Sequence, residues 1–242
     1  MHERNIVVAT ADGRMDAFIA YPDGPGPFAP VVMYQNVSGL SESMRGMARR
    51  VAAEGYYCAV PDLYYRLGKI VIDADSEASD VQAIRKIAIA SLKNRAVMAD
   101  TQALLEEISR DPLARPRPGG VVGYCMGGRY SLLAAAHFPE VFKACASLFG
   151  TGLVTEASDS PHRLVSRIQG EVYCGFAEHD PLASPQVVAQ IEAGLKQSDA
   201  TSLVETHPGT THGYAFPGRP CYQEQAAEKS WQRIFEMFRR QL

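Results

Sequence analysis

Gly119-Gly120-Val121-Val122-Gly123-Tyr124-Cys125-Met126-Gly127-Gly128-Arg129 is the stretch on which the reading of this chain turns. Its first half is small and apolar without alternation, as in a strand buried on both faces of a mainly parallel sheet. Its second half leads into Leu132, Leu133 and Ala136 and is halted by Pro139, which predicts a helix. Cys125 stands between two glycines where strand passes into helix. A sharp turn there needs close backbone approach, which glycine permits, and it pushes the side chain at its apex out above the sheet. A helix beginning near Met126 aims its free amides and the positive end of its dipole at a thiolate or an oxyanion.

Outward from this junction, strands and helices alternate. Towards the N-terminus, Asn5 to Thr10 and Met15 to Tyr21 flank Asp12-Gly13 and predict an antiparallel hairpin. A Pro/Gly-rich loop, Pro22 to Pro30, precedes the buried strand Val31 to Tyr34. Met44, Met47, Ala48, Val51 and Ala52 recur at helical spacing up to Gly55, and Tyr56 to Val60 form another strand closed by Pro61-Asp62. One long crossover helix is expected between Val81 and Ile108, with Val97, Met98, Thr101, Leu105 and Ile108 on a single face. Towards the C-terminus, strands are expected at Ala144 to Leu148, Val172 to Phe176 and Ser202 to Thr206. A helix starts at Ser184-Pro185, and a terminal helix carries Ala227, Trp231, Ile234, Phe235 and Phe238. The alternation predicts an α/β fold, a doubly wound and mainly parallel sheet with helices on both faces, in a single domain spanning residues 1–242.

Composition narrows the function. With 242 residues, 46% hydrophobic and 21% charged, the chain reads as an ordinary globular protein, and a net charge of −3 offers no basic field for nucleic acid. No run reaches the roughly 18 apolar residues of a membrane span, and the first residues lack the pattern of a secretory leader, so a cytoplasmic protein with no membrane partner is expected. The five cysteines are odd in number, widely spaced and without a C-x-x-C pair, which argues for neither disulfides nor a zinc site.

Ligands of doubly wound sheets bind outside the carboxyl ends of the strands. Three residues at such ends combine into one chemistry. Cys125 occupies the position of the nucleophile in an elbow of the G-x-S-x-G type, Asp180 follows the strand ending near Phe176, and His212 lies in the loop Pro208 to Gly213 after the last strand. The order nucleophile, acid, histidine is that of the α/β hydrolases. In such a triad imidazole takes the thiol proton and the carboxylate fixes its tautomer. Glu178 is the competing carboxylate, while His179, His207, His137 and His162 read as loop, packing or surface residues. The oxyanion hole would use the amide of Met126 and one from the loop Gln35-Asn36-Val37-Ser38-Gly39, supplied by Val37 or Asn36.

The segments Gly123-Tyr124-Cys125-Met126-Gly127-Gly128-Arg129, Pro61-Asp62-Leu63-Tyr64, Asp180 and His212-Gly213-Tyr214 together resemble the dienelactone hydrolase family, from about Val31 to the C-terminus. The resemblance implies an α/β-hydrolase fold and hydrolysis of a small ester or lactone through a cysteine acyl-enzyme on a Cys125-His212-Asp180 triad, with no metal and no organic cofactor. It also marks two departures. Asn36 stands where the best-known members carry a glutamate that contacts the cysteine, and Phe216 stands where they carry an arginine that holds the substrate carboxylate. Thiol activation is then left to His212, and a substrate other than the anionic dienelactone is expected. Arg66, Arg85, Arg129 and Arg219 are other candidates for a carboxylate clamp, and Tyr64, Tyr65, Tyr124, Tyr214 and Phe216 are candidates to line a pocket for an uncharged ester.

Three functional readings follow, and simple measurements separate them. A cysteine-dependent ester or lactone hydrolase loses turnover with Cys125 or His212. A ligand-binding or regulatory protein on a degenerate hydrolase scaffold binds without turnover. A redox-sensing thiol protein is reversibly oxidised at Cys125 without esterase activity.

Overall fold

The computed structural model describes residues 1–242, which divide into two compact units, Met1–Arg117 and Pro118–Leu242. The first holds strands β1 (His2–Thr10), β2 (Gly13–Tyr21), β3 (Pro30–Tyr34) and β4 (Tyr57–Pro61), with helices α1 (Glu42–Ala53), α2 (Ser79–Ser91) and α3 (Asn94–Ser109). Its strands lie in the order β1-β2-β4-β3; the two pairings made by β2 are antiparallel and β3 pairs with β4 in parallel. The hairpin begins earlier than the apolar run, at His2, because every residue from His2↔Tyr21 to Thr10↔Gly13 finds a partner. β3 and β4 are buried along their whole length, as their unbroken apolar sequences require.

The crossover is two helices rather than the single long one expected. Leu92 and Lys93 take extended ψ angles of 112° and 134° between α2 and α3. The two helices have incompatible demands: α2 buries only Ala88, whereas α3 buries Val97, Met98, Asp100, Thr101, Leu104 and Ile108. A continuous helix would hold α2 in the register of α3, so the chain breaks where Leu92 turns inward. The buried leucine of α3 is Leu104, not Leu105. Asp100 is on that buried face because Arg66 meets it with two hydrogen bonds, Nη1 to Oδ2 at 2.7 Å and Nη2 to Oδ1 at 2.9 Å, while Arg66 Nε bonds Asp12 at 2.8 Å. A carboxylate this deep is tolerated where its oxygens are met by hydrogen bonds and an opposite charge. The guanidinium of Arg66 is therefore committed to holding the turn at residues 65–67 onto α3.

The second unit holds the parallel strands β5 (Gly119–Tyr124), β6 (Phe142–Leu148), β7 (Glu171–His179) and β8 (Thr201–Thr211), in that order, with helices α4 (Met126–His137), α5 (Pro161–Leu164), α6 (Pro185–Leu195) and α7 (Glu224–Gln241). α4 is buried on nearly all sides, and the terminal helix α7 buries Ala227, Trp231, Ile234, Phe235 and Phe238, as its spacing predicts. β7 and β8 both run several residues past their apolar segments and stay paired as far as His179↔Thr211. Thr210 and Glu178 explain the extension: Thr210 Oγ1 accepts the amide of Glu178 at 3.3 Å, so polar side chains replace apolar packing at the strand ends. α5 has no counterpart in the sequence reading, being one turn long. Eight strands of mixed direction alternating with helices make this an α/β-hydrolase-type fold.

Two glycines test these packing statements from opposite sides. A Cβ on Gly123 would lie 2.0 Å from the carbonyl oxygen of Gly127, a backbone atom that cannot yield, whereas Gly46 in α1 has nothing within 4 Å. Gly123→Ala is expected to lose about 3 kcal/mol or more, or to fail to fold. Gly46→Ala is expected to gain about 0.5–1 kcal/mol from helix propensity. Urea unfolding of the two variants beside the wild type measures both.

Candidate active site

The elbow is built by backbone geometry before any side chain matters. Cys125 has φ 55° and ψ −120°, a left-handed conformation that a side-chain-bearing residue adopts only when its surroundings impose it. Its amide donates to Leu148 O at 3.0 Å, and its carbonyl accepts from Gly128 N at 3.0 Å and Thr151 N at 3.1 Å. Strand β6 and the first turn of α4 thus fix Cys125 from both sides, and the amide of Met126 at the helix start points to the sulfur.

Asp180 follows β7 directly. Its side chain is fully buried; Oδ1 accepts the amide of Leu182 at 2.9 Å, and Oδ2 meets His212 Nδ1 at 2.7 Å. Glu178, the competing carboxylate, points elsewhere: its Oε2 accepts the amide of Gly209 at 2.7 Å. Glu178 thereby secures the backbone of the segment leading to the histidine. His212 directly follows β8, which extends through the segment expected to be a loop, and the chain there turns tightly, with Tyr214 N bonded to Thr211 O and Gln223 N bonded to Tyr214 O. The side chain of Gln223 adds a bond to Gly209 O at 2.8 Å.

Electrostatics distinguish Cys125 from the other buried cysteines. In Cys58, Cys145 and Cys174 burial pushes the thiol up and keeps it protonated. Burial acts the same way on Cys125, but the bond and charge of His212, the amide of Met126 and the charge of Arg219 outweigh it, and the thiol lies below its ordinary value of 9.0. On His212 burial disfavours the cation, yet the bond to Asp180 and the proximity of Cys125 prevail and the ring is pushed up to about 10. With Nδ1 given to Asp180, Nε2 is the nitrogen left for the sulfur. It is buried and has no hydrogen-bond partner in ordinary alignment, and Cys125 contributes to raising the ring. Thiol and imidazole therefore shift in opposite directions, the thiol down and the ring up, and their titration belongs to both groups together.

The other candidates are placed as follows. Tyr124, Tyr214 and Phe216 are at most 1% exposed and pack with Phe149 as one aromatic layer; Tyr124 lies 5.4 Å from Phe216 and Tyr214 lies 5.1 Å from Phe149, between ring centroids. The guanidinium of Arg219 lies 5.9 Å from the centre of the Phe216 ring. Arg129 bonds the hydroxyl of Tyr130 at 2.6 Å, and Arg85 bonds the carbonyls of Asp73 and Ser76. In the N-terminal unit, Asn36 Oδ1 accepts the amide of Ser38 at 2.9 Å, and the hydroxyl of Tyr64 donates to Val37 O at 3.2 Å, which makes the 35–39 loop an ordered turn. Tyr65 donates to Asp100 at 2.8 Å. His207 is buried against Tyr173 and Ser230, and burial lowers its pKa, so it packs as a neutral ring. No group of three or more His, Cys, Asp or Glu side chains is placed to hold a metal ion, and no helix is long and apolar enough to cross a membrane.

The sequence reading passed over Phe149, whose ring stands T-shaped against His212 at 5.3 Å. The available signal was its place, directly after the apolar strand β6 and before Gly150, at the strand end where site residues collect.

Comparison with known proteins agrees with this geometry. The profile of the dienelactone hydrolase family matches residues 15–242. An inferred carboxymethylenebutenolidase of Synechocystis sp. is 26% identical over 240 residues, covering 98% of this chain and 96% of the relative. Another, of Escherichia coli K12, is 26% identical over 236 residues, covering 93% and 82%. Among solved structures, an inferred dienelactone hydrolase of Klebsiella pneumoniae superposes with a TM-score of 0.87 at 24% identity over 98% of each chain. The dienelactone hydrolase-like promiscuous phosphotriesterase P91, from metagenomic libraries, superposes with a TM-score of 0.76 at 21% identity, covering 99% of this chain and 98% of that one. At such identities the structural likeness speaks for the fold, while the family profile spans nearly the whole chain. The chain belongs to the dienelactone hydrolase family of hydrolases.

Proposed function

We propose that this protein hydrolyses a small ester or lactone through an acyl-enzyme on Cys125, with His212 as acid and base and Asp180 orienting it. The observation that carries the reading is the 2.7 Å bond between buried Asp180 Oδ2 and His212 Nδ1, on a ring whose other nitrogen serves the one thiol in the fold held below its ordinary pKa by its surroundings. The thiolate attacks the acyl carbon, and the developing oxyanion takes the hydrogen bond of the Met126 amide at the N-terminus of α4. The imidazolium then protonates the departing alkoxide, which in a lactone stays attached to the acyl chain. Neutral His212 next removes a proton from water, whose oxygen attacks the thioester, and the returning proton restores the thiolate–imidazolium pair as the carboxylic acid leaves.

This reading gives the departure at Asn36 a consequence. Asparagine cannot take up a proton as a glutamate can, so lowering the thiol is left to His212, Met126 and Arg219.

Cys125→Ala and His212→Ala are each expected to reduce turnover of p-nitrophenyl acetate by about 10³-fold or more while circular dichroism stays close to wild type, His212→Ala also losing some thermal stability because it leaves buried Asp180 without its partner. Wild-type rates in either variant would overturn the mechanism. The pH dependence has a definite sign. Thiolate forms as pH rises through a value below 9.0, and the imidazolium survives until about 10, so activity and alkylation rise on the acid side of that window and activity declines on its alkaline side. Iodoacetamide kinetics against pH check the acid limb; in His212→Ala the alkylation midpoint is expected to move upward, towards that of a free thiol.

A further inference from the structure

The four residues Leu148 to Thr151 touch both ends of the proposed machinery. Leu148 O and Thr151 N form two of the hydrogen bonds that hold the backbone of Cys125, at 3.0 and 3.1 Å. Between them Phe149 takes φ 37°, the only side-chain-bearing residue besides Cys125 with a positive φ. Its amide donates to Gly175 O at 2.6 Å, in the strand that leads to Asp180. The left-handed turn swings its ring, fully buried, into a T-shaped contact with His212 at 5.3 Å and 74°. The same ring meets Tyr214 at 5.1 Å and Phe216 at 5.8 Å, the aromatic residues two and four places after the histidine.

A core phenylalanine has no need of a left-handed backbone, which bulky residues avoid and which persists only where the surroundings over-determine it. The base has a corresponding weakness. Its imidazole is anchored by one hydrogen bond, from Nδ1 to Asp180, and a ring held at one corner can pivot about it. We propose that Phe149 is a positioning residue: clamped left-handed between the hydrogen bonds to Cys125, it places its ring against His212 and fixes the angle at which Nε2 meets the sulfur. Nucleophile and base are thereby registered to one another through a single residue. The proposal rests on the acyl-enzyme reading above, and its test includes a measurement that needs no substrate.

Phe149→Leu and Phe149→Tyr in the full chain are compared by kcat and KM for p-nitrophenyl acetate and by the pH dependence of Cys125 alkylation. Phe149→Leu is expected to lower kcat by about 30-fold with KM within about threefold, since a small misplacement of a catalytic group costs on the order of 10²-fold. It is also expected to shift the alkylation midpoint upward, in the direction of His212→Ala. Phe149→Tyr, which keeps the ring, is expected to restore both to near wild type. A Phe149→Leu protein with lowered thermal stability but unchanged kcat and midpoint would overturn the proposal and leave Phe149 a packing residue. Should that variant not fold, Phe149→Met, closer in length, carries the same expectations, and failure of both to fold counts against the proposal. Turnover surviving in Cys125→Ala would instead remove the acyl-enzyme reading itself.

Discussion

A left-handed residue at the end of a buried parallel strand, with a helix starting immediately after it, is the constraint on which the rest of this structure depends. Cys125 holds φ 55° because its amide and carbonyl are taken by Leu148, Gly128 and Thr151, and because Gly123 leaves room for the carbonyl of Gly127. Relaxing any of these would swing the sulfur away from the helix start. The neighbouring strands are arranged about the same point: β6 supplies the carbonyl of Leu148, Asp180 directly follows β7, and His212 directly follows β8. Parallel strands in register put these carboxyl ends together, which is why three residues far apart in the chain meet.

Burial and charge then act against one another at this point, and charge wins only there. Four of the cysteines are fully or partly buried side chains away from the elbow, and where burial dominates, at Cys58, Cys145 and Cys174, the thiols remain neutral. Cys125 is exposed to the same penalty but has an imidazolium, a helix amide and a guanidinium within range. Each partner favours the charged form of the other, so His212 rises as Cys125 falls. Asp180, fully buried and bonded to the ring and to Leu182 N, completes the compensation.

Much of this was legible in the chain itself, for a local reason. Gly123-Tyr124-Cys125-Met126-Gly127 marks a strand–turn–helix junction by its own residue types, and the apolar faces of α1 and α7 follow from helical spacing. The crossover was less legible. Ile84 and Ile87 look like core residues by type, but they are 47% and 63% exposed, so a pattern that runs through α2 and α3 in sequence is broken between them in space. Asp100 and Arg66 were likewise opaque, because a charged residue on a buried face is explained only by the partner that meets it.

From its sequence alone, then, the chain determined the class of fold and the family, and it marked Cys125, Asp180 and His212 as candidates, since each depends on short-range spacing and on the limited ways strands and helices alternate. Tertiary structure decided what spacing cannot encode. It chose Asp180 over Glu178 for His212, because the extension of β7 and β8 turns Glu178 to the amide of Gly209. It placed Tyr124, Tyr214 and Phe216 together with Phe149 in one buried aromatic layer, and it turned Phe149 towards the base through a backbone angle that no residue type announces. Distances and angles between residues from different strands arise only when those strands pack, and the chemistry of Cys125 is set by them.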